Sequence, residues 1–179
     1  NFSPEPGIRL TANETLGKSP RKKGKVILLN IKGEVKLAEN KLAKSLQQSG
    51  HSVLSLSLRA TGQHAYARDA IRRAPDHNTA EWSLWLGQPL IGQWVRDVRT
   101  LLNALGNKPG PITIIGDGPA GVVALCAAAL DKRITHTITK SLPHGSIRVV
   151  QILSSYIRII TDNAMEQTIV KSNSVTRLH

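Results

Sequence analysis

From residue 26 onward the apolar positions fall into runs and periods that define a regular architecture. Val26-Ile27-Leu28-Leu29-Asn30-Ile31 is a short, nearly continuous apolar run, the pattern of a strand buried on both faces. The spacing then predicts a helix over about residues 35–48, with Leu37, Leu42 and Leu46 toward a core and Gly50 as its stop. Residues 52–58 read as a second strand, and a strand-helix-strand unit of this size implies a parallel pair with a right-handed crossover. Ile91, Trp94, Val95, Val98, Leu101, Leu102 and Leu105 recur at i, i+3, i+4, i+7 spacing and predict a helix ended by Gly106. A third strand over residues 111–115, a helix over 122–130 and a fourth strand over 133–139 complete the alternation. Four strands alternating with three helices predict an α/β fold, a three-layer α/β/α sandwich with a mostly parallel sheet.

The ends and one connection depart from this rhythm. Residues 1–24 read as an extended basic linker, residues 25–142 as the α/β domain, and residues 143–179 as a tail that does not continue the alternation. Within the tail, 147–153 and 156–160 are β-prone, with no amphipathic helix between them. Residues 59–80 form a long polar connection, a length more often used for a functional loop than for a plain linker.

The 179 residues suit one domain with a sizeable core, which must be aliphatic because aromatic residues make up only 3%. Hydrophobic residues reach 40%, too many for a disordered chain, yet no apolar run is long enough to span a bilayer. The formal net charge of +12 suggests a polyanion partner at first. Only residues 18–25, with Lys18, Arg21, Lys22, Lys23 and Lys25, concentrate it; no aromatic residue accompanies them, so a solvated linker is the preferred reading and nucleic acid is not expected. A basic scaffold binding polyanions through that run is the non-enzymatic alternative. The single Cys126 excludes an intramolecular disulfide framework and a clustered cysteine zinc site. The six histidines lack metal-ligand spacing, so no metal is expected, and the lack of a long apolar run leads to no expected membrane partner.

In an open parallel sheet ligands bind at the carboxyl ends of strands, so the loops after Ile31, Leu58, Ile115 and Thr139 are the candidates. The turn after Ile115 is the most informative. Gly116-x-Gly118-x-x-Gly121 satisfies the dinucleotide pattern, and FAD or NAD(P) is the cofactor it would take. That mechanism also needs an acid at the end of the next strand to grip the ribose hydroxyls, and here the strand ends in Thr139-Lys140. Alternatively, the turn is the nucleophile elbow of a hydrolase, where small residues two before and two after the nucleophile relieve steric conflict. The register Gly116-Asp117-Gly118-Pro119-Ala120 supplies both small neighbours and centres on Gly118.

The block of residues 87–92, Asp97-Val98, residues 115–118 and residues 127–134 resembles the acetyl xylan esterase-like branch of the α/β-hydrolase superfamily. Upstream, Ser57-Leu58-Arg59-Ala60-Thr61-Gly62-Gln63 is similar to the D-x-R-G-x-G segment of such hydrolases, with Ser57 for the Asp and Ala60 for the Gly. The resemblance covers roughly residues 24–142 and implies carboxylic-ester hydrolysis by a Ser-Asp/Glu-His triad, acting on a small ester or an acylated carbohydrate without a cofactor. Carried over by position, it puts Gly118 where the nucleophile would be and Pro119 where a backbone N–H would meet the oxyanion. Glycine has no hydroxyl and proline no N–H, so the expectation is an impaired, pseudoenzyme-like domain. The acid and histidine of such a triad would follow residue 142, where Asp162, Glu166, His144 and His179 have no convincing strand-end context; an incomplete hydrolase fold is therefore expected, in keeping with a fragment. Asp117 as nucleophile would put Ile115 and Pro119 at the small-residue positions and is disfavoured. Trp82, Trp85 and Trp94 are expected to pack against the helix face rather than stack on sugars, His64 to be a solvated loop residue, Cys126 a small core residue, and Asp131 to end its helix.

Overall fold

The computed structural model describes residues 1–19, 23–72, 76–106 and 110–141, and, as backbone strands, 159–163, 166–171 and 174–177. The apolar run at residue 26 becomes an interior strand of an eight-stranded sheet. In chain order the strands are β1 (Phe2–Glu5), β2 (Ile8–Leu10), β3 (Ala12–Thr15), β4 (Gly24–Asn30), β5 (His51–Leu56), β6 (Ile112–Asp117), β7 (Ile134–Lys140), β8 (Ile159–Asn163), β9 (Glu166–Lys171) and β10 (Ser174–Arg177). The helices are α1 (Lys41–Gln48), α2 (His77–Trp85), α3 (Leu90–Ala104) and α4 (Ala120–Leu130). The sheet order is β10-β9-β8-β7-β6-β4-β5-β3, with β5, β4, β6, β7 and β8 mutually parallel and the outer strands antiparallel.

Side chains alternate across a strand, and in β4 both faces are apolar. Ile27 and Leu29 point into a core shared with Leu54, Leu56, Ile112 and Ile114 and covered by α3 and α4 through Trp94, Val98, Leu102, Val123 and Ala127. Val26 and Leu28 point the other way, to a smaller core with Val53, Leu37 and Ala43 of the α1 layer. The three-layer sandwich follows directly. Each fully buried aliphatic side chain contributes about 1.5–3 kcal/mol, and a β4 buried on both faces gathers that contribution from every position between Val26 and Leu29.

Several elements depart from the sequence expectation. Helix α1 begins at Lys41, not near residue 35, because the Asn40 side chain accepts the N–H of Ala43 at 3.0 Å and caps the helix there. Leu42, expected toward the core, is 46% exposed. The long polar connection holds a 3-10 turn (Gly62–His64) and the start of α2, whose first turn is fixed by buried Asp69 accepting from the N–H and hydroxyl of Thr79 at 2.7 and 2.6 Å. Residues 1–15, read as part of a linker, pair instead: β1 and β2 form a hairpin and β3 joins the sheet edge antiparallel to β5. Strands of three or four residues are too short to show a period and are fixed by their partners. In the tail, β8 extends the parallel sheet beside β7 and overlaps the β-prone 156–160 stretch; residues 147–153 lie outside the described residues. Among the described residues no helix is long and apolar enough to cross a membrane.

One buried ionic cluster ties the loop after β5 to α3. Asp97, fully buried on α3, accepts from Arg59 Nε at 3.0 Å, Arg59 Nη2 at 2.5 Å and the Arg59 backbone N–H at 3.2 Å. The Arg59 guanidinium also reaches Glu5 on β1 and Gln93, and the Trp94 indole N–H donates to the Arg59 carbonyl at 2.8 Å. Burial pushes the Asp97 carboxyl up, and the bonds from Arg59 pull against that shift. Removing Asp97 strips the buried Arg59 of these bonds and leaves Glu5 as its charged partner, and losing one partner of a buried pair costs about 3–5 kcal/mol. Asp97→Ala is therefore expected to lower unfolding free energy by about that amount in urea titration, whereas Arg96→Gln, on an exposed arginine of the same helix, changes it by less than about 1 kcal/mol.

A second pair closes α4. Asp131 caps the helix and receives Arg133 Nε at 2.9 Å and Nη2 at 2.6 Å, and Arg133 also donates to Asn103 at 2.7 Å. The bond from Arg133 holds the Asp131 carboxyl below its ordinary value, against the effect of burial. A carboxyl depressed in the folded state stabilises above its unfolded pKa and loses that contribution as pH falls through the folded one. Asp131→Asn should therefore melt below the wild type at pH 7, with the gap narrowing once pH falls below about 4.

Candidate functional site

The carboxyl ends of β4, β6 and β7 lie side by side, so Asn30, Asp117 and Lys140 form a row across three strands. The chain leaves β6 at Asp117 and enters α4 at Ala120, reversing through Gly118 and Pro119 alone. Gly118 takes a left-handed φ of 60°, a conformation that costs little only in glycine. Its N–H donates to the Lys140 carbonyl at 2.8 Å and its carbonyl accepts from Gly121 at 2.9 Å, so the turn is tied to β7 and to its own helix.

Gly116 is required for a different reason. A β-carbon there would lie 2.5 Å from the Ala120 carbonyl oxygen and 2.6 Å from the Gly121 Cα, both backbone atoms. Strand and helix touch backbone to backbone, and the buried alanines Ala120, Ala124, Ala127 and Ala128 keep α4 close along its length. At Gly118 the situation is reversed, since a β-carbon would meet nothing within 4 Å. The apex of the turn therefore points into open space, with a tight neighbour on each side.

Pro119 has φ −58° and ψ −25° at the start of α4 and brings no N–H to the turn. Asp117 ends β6 in extended conformation and lies half-buried beside the apex. The loop after β5 approaches the same edge. Ala60 there has φ 56°, the conformation that the glycine of the similar hydrolase segment accommodates most easily. Ser57 is fully buried, with its hydroxyl unpaired among the described residues. The loops after β4 and β5 meet where Gly33 and Gly62 pass so close that a β-carbon on either would fall within 2.6 Å of the other's Cα.

Of the other residues singled out from sequence, Trp94 is buried as expected, whereas Trp82 and Trp85 are 61% and 67% exposed and stand edge-on at 5.2 Å. Their packing expectation holds only for Trp94, because α2 turns little more than Ser83 inward. His64 is half-buried in the loop after β5. Cys126 packs partly buried against the main core, and burial pushes its thiol up, away from the reactive thiolate. The dinucleotide alternative using Gly116, Gly118 and Gly121 shares the strand-turn-helix geometry, but exposed Lys140 occupies the end of β7 where the ribose-gripping acid would stand. His144 and His179 lie outside the described residues, and Asp162 and Glu166 belong to backbone-only strands.

No protein-family model matches the sequence. No curated protein matches it either. Solved structures do. A Bacteroides fragilis protein assigned as an acetyl xylan esterase superposes with a TM-score of 0.59 at 14% identity, over 76% of this chain and 42% of its own. The proline iminopeptidase of Mycobacterium smegmatis gives a TM-score of 0.57 at 14% identity, over 87% of this chain and 47% of its own. Est1E from Butyrivibrio proteoclasticus, with ferulic acid bound, gives 0.53 at 16% identity, over 84% and 54%. The chain thus spans about half the length of these proteins.

Gly116→Ala should destabilise the fold by about 1–3 kcal/mol, as an overpacked contact does, while Gly118→Ala pays only its left-handed φ, about 1–2 kcal/mol. Paired urea titrations of the two variants check that order. Five parallel strands, helices on both faces and this strand-to-helix turn together give the chain an α/β-hydrolase fold.

Proposed function

We propose that this chain is a hydrolase-like domain of the carboxylic-ester type, related to acetyl xylan esterases, that recognises a small ester or an acylated carbohydrate and is catalytically impaired. One observation carries the reading: Gly118 sits at the left-handed apex of a strand-to-helix turn, with open space where a nucleophilic side chain would project. In an esterase that apex supplies the hydroxyl that attacks the acyl carbon, and the next residue's N–H stabilises the oxyanion. Here the apex carries no oxygen, and Pro119 carries no N–H. Losing one oxyanion donor costs on the order of 3 kcal/mol of transition-state stabilisation. Losing the nucleophile removes the acyl-enzyme route.

The remaining features are those of a binding edge. The turn is held by Lys140, the loop after β5 is anchored by Arg59 and Asp97, and the strand ends face one opening. Such an edge retains substrate-sized recognition without turnover. The acetyl xylan esterase and ferulic-acid-bound Est1E among the superposed structures support an ester or acid as ligand.

Hydrolysis of p-nitrophenyl acetate is expected at the uncatalysed rate for the wild type. Gly118→Ser should stay there too, because Pro119 still denies the oxyanion its donor. Saturable wild-type turnover would overturn the proposal.

A further inference from the structure

On the α1 side of the sheet, beside the Gly118 turn, the carboxyl edge opens into a cavity of about 470 Å³. This lies within the range of small-molecule sites. It sits between β4 and β6, where the strand order reverses and where open α/β sheets bind their ligands.

The floor is apolar: Leu28, Val35 and Ile115 form it, and Leu42 at the first turn of α1 leans over it. Leu42 is nearly half exposed, so the cavity holds apolar surface that the described residues leave uncovered. The rim is basic. Lys32 comes from the loop after β4, Lys41 from the start of α1 and Lys140 from the end of β7. None of the three makes an ion pair among the described residues. Two carboxylates share the rim, and Glu34 is already engaged by the Asn13 side chain, leaving Asp117. Three ammonium groups against two carboxylates leave an excess of one positive charge over an apolar floor.

We propose that this cavity binds an amphipathic monoanion, a carboxylate on an aliphatic or aryl body. The apolar body covers Leu42 and Ile115, and the carboxylate meets the lysines at the rim. A phosphate monoester is a poorer match, because its second charge would face Asp117 and Glu34 without a further cation. The proposal rests on the ester-type reading of this edge for its ligand class, but it uses no atom of Gly118 and does not depend on whether esters are turned over.

Isothermal titration of the full chain with octanoate, 1-octanol and octyl phosphate tests it. Octanoate is expected to bind saturably at one site per chain, with the alcohol weaker by about tenfold or more, the scale of one charge-assisted hydrogen bond. The double variant Lys32→Gln/Lys140→Gln should weaken octanoate by at least that factor. Lys36→Gln, on a lysine that does not line the cavity, should not. These are surface lysines, and circular dichroism checks that the variants fold. Absence of saturable octanoate binding, octanol binding as tightly, octyl phosphate binding more tightly, or indifference to the lysine changes would each overturn the proposal. Ester turnover by a protein that still binds octanoate in a lysine-dependent way would sink only the impairment reading.

Discussion

The backbone of β6 passes against the first turn of α4 with no room for a β-carbon at residue 116. Much of the site follows from that contact. Because strand and helix touch there, the chain has only Gly118 and Pro119 in which to reverse, and the apex must adopt a left-handed φ. A left-handed apex projects its side-chain position away from both elements, into the open edge of the sheet. A serine hydrolase uses the same strain to expose its nucleophile. In this chain glycine relieves the strain and leaves the position bare.

The surrounding edge is held just as firmly. Asp97 on α3 grips both the guanidinium and the backbone N–H of Arg59, fixing the loop that follows β5, and Glu5 carries the same cluster to the N-terminal hairpin. Buried ion pairs of this kind give little net stability, since desolvation offsets the attraction. Here the bonds from Asp97 to both the backbone and the guanidinium of Arg59 tie that loop to α3. Across the sheet, Ile115 packs at the border of the smaller core on the α1 side, and the cavity with its lysine rim opens beside it.

Much of this arrangement was legible in the sequence. The unbroken apolar run at Val26 announced a strand covered on both faces, and the i, i+3, i+4, i+7 series from Ile91 announced α3 within a residue or two. The turn at Gly118 was visible because glycines and alanines at fixed offsets have a steric meaning. The remainder depends on long-range pairing. Strands β1 to β3 are too short to carry a readable period and exist through their partners, β3 through β5 about forty residues on. Asn40 moved the start of α1, since a capping side chain competes with helix extension. Trp82 and Trp85 looked like core residues by type, but α2 lacks an apolar period and leaves them outside. Lys32 and Lys140 follow two of the strand ends that the sequence marks as ligand-binding loops, but nothing local joins them to Lys41, because only the crossover connections bring the three to one rim.

On the reading proposed above, the turn after β6 has the shape of a nucleophile elbow and lacks the nucleophile. Intact-mass analysis after incubation with a fluorophosphonate, which labels activated serine nucleophiles, tests this most directly. The wild-type chain is expected to remain unmodified under conditions that label an active serine esterase to completion. A stoichiometric phosphonyl adduct on the wild-type chain would contradict it.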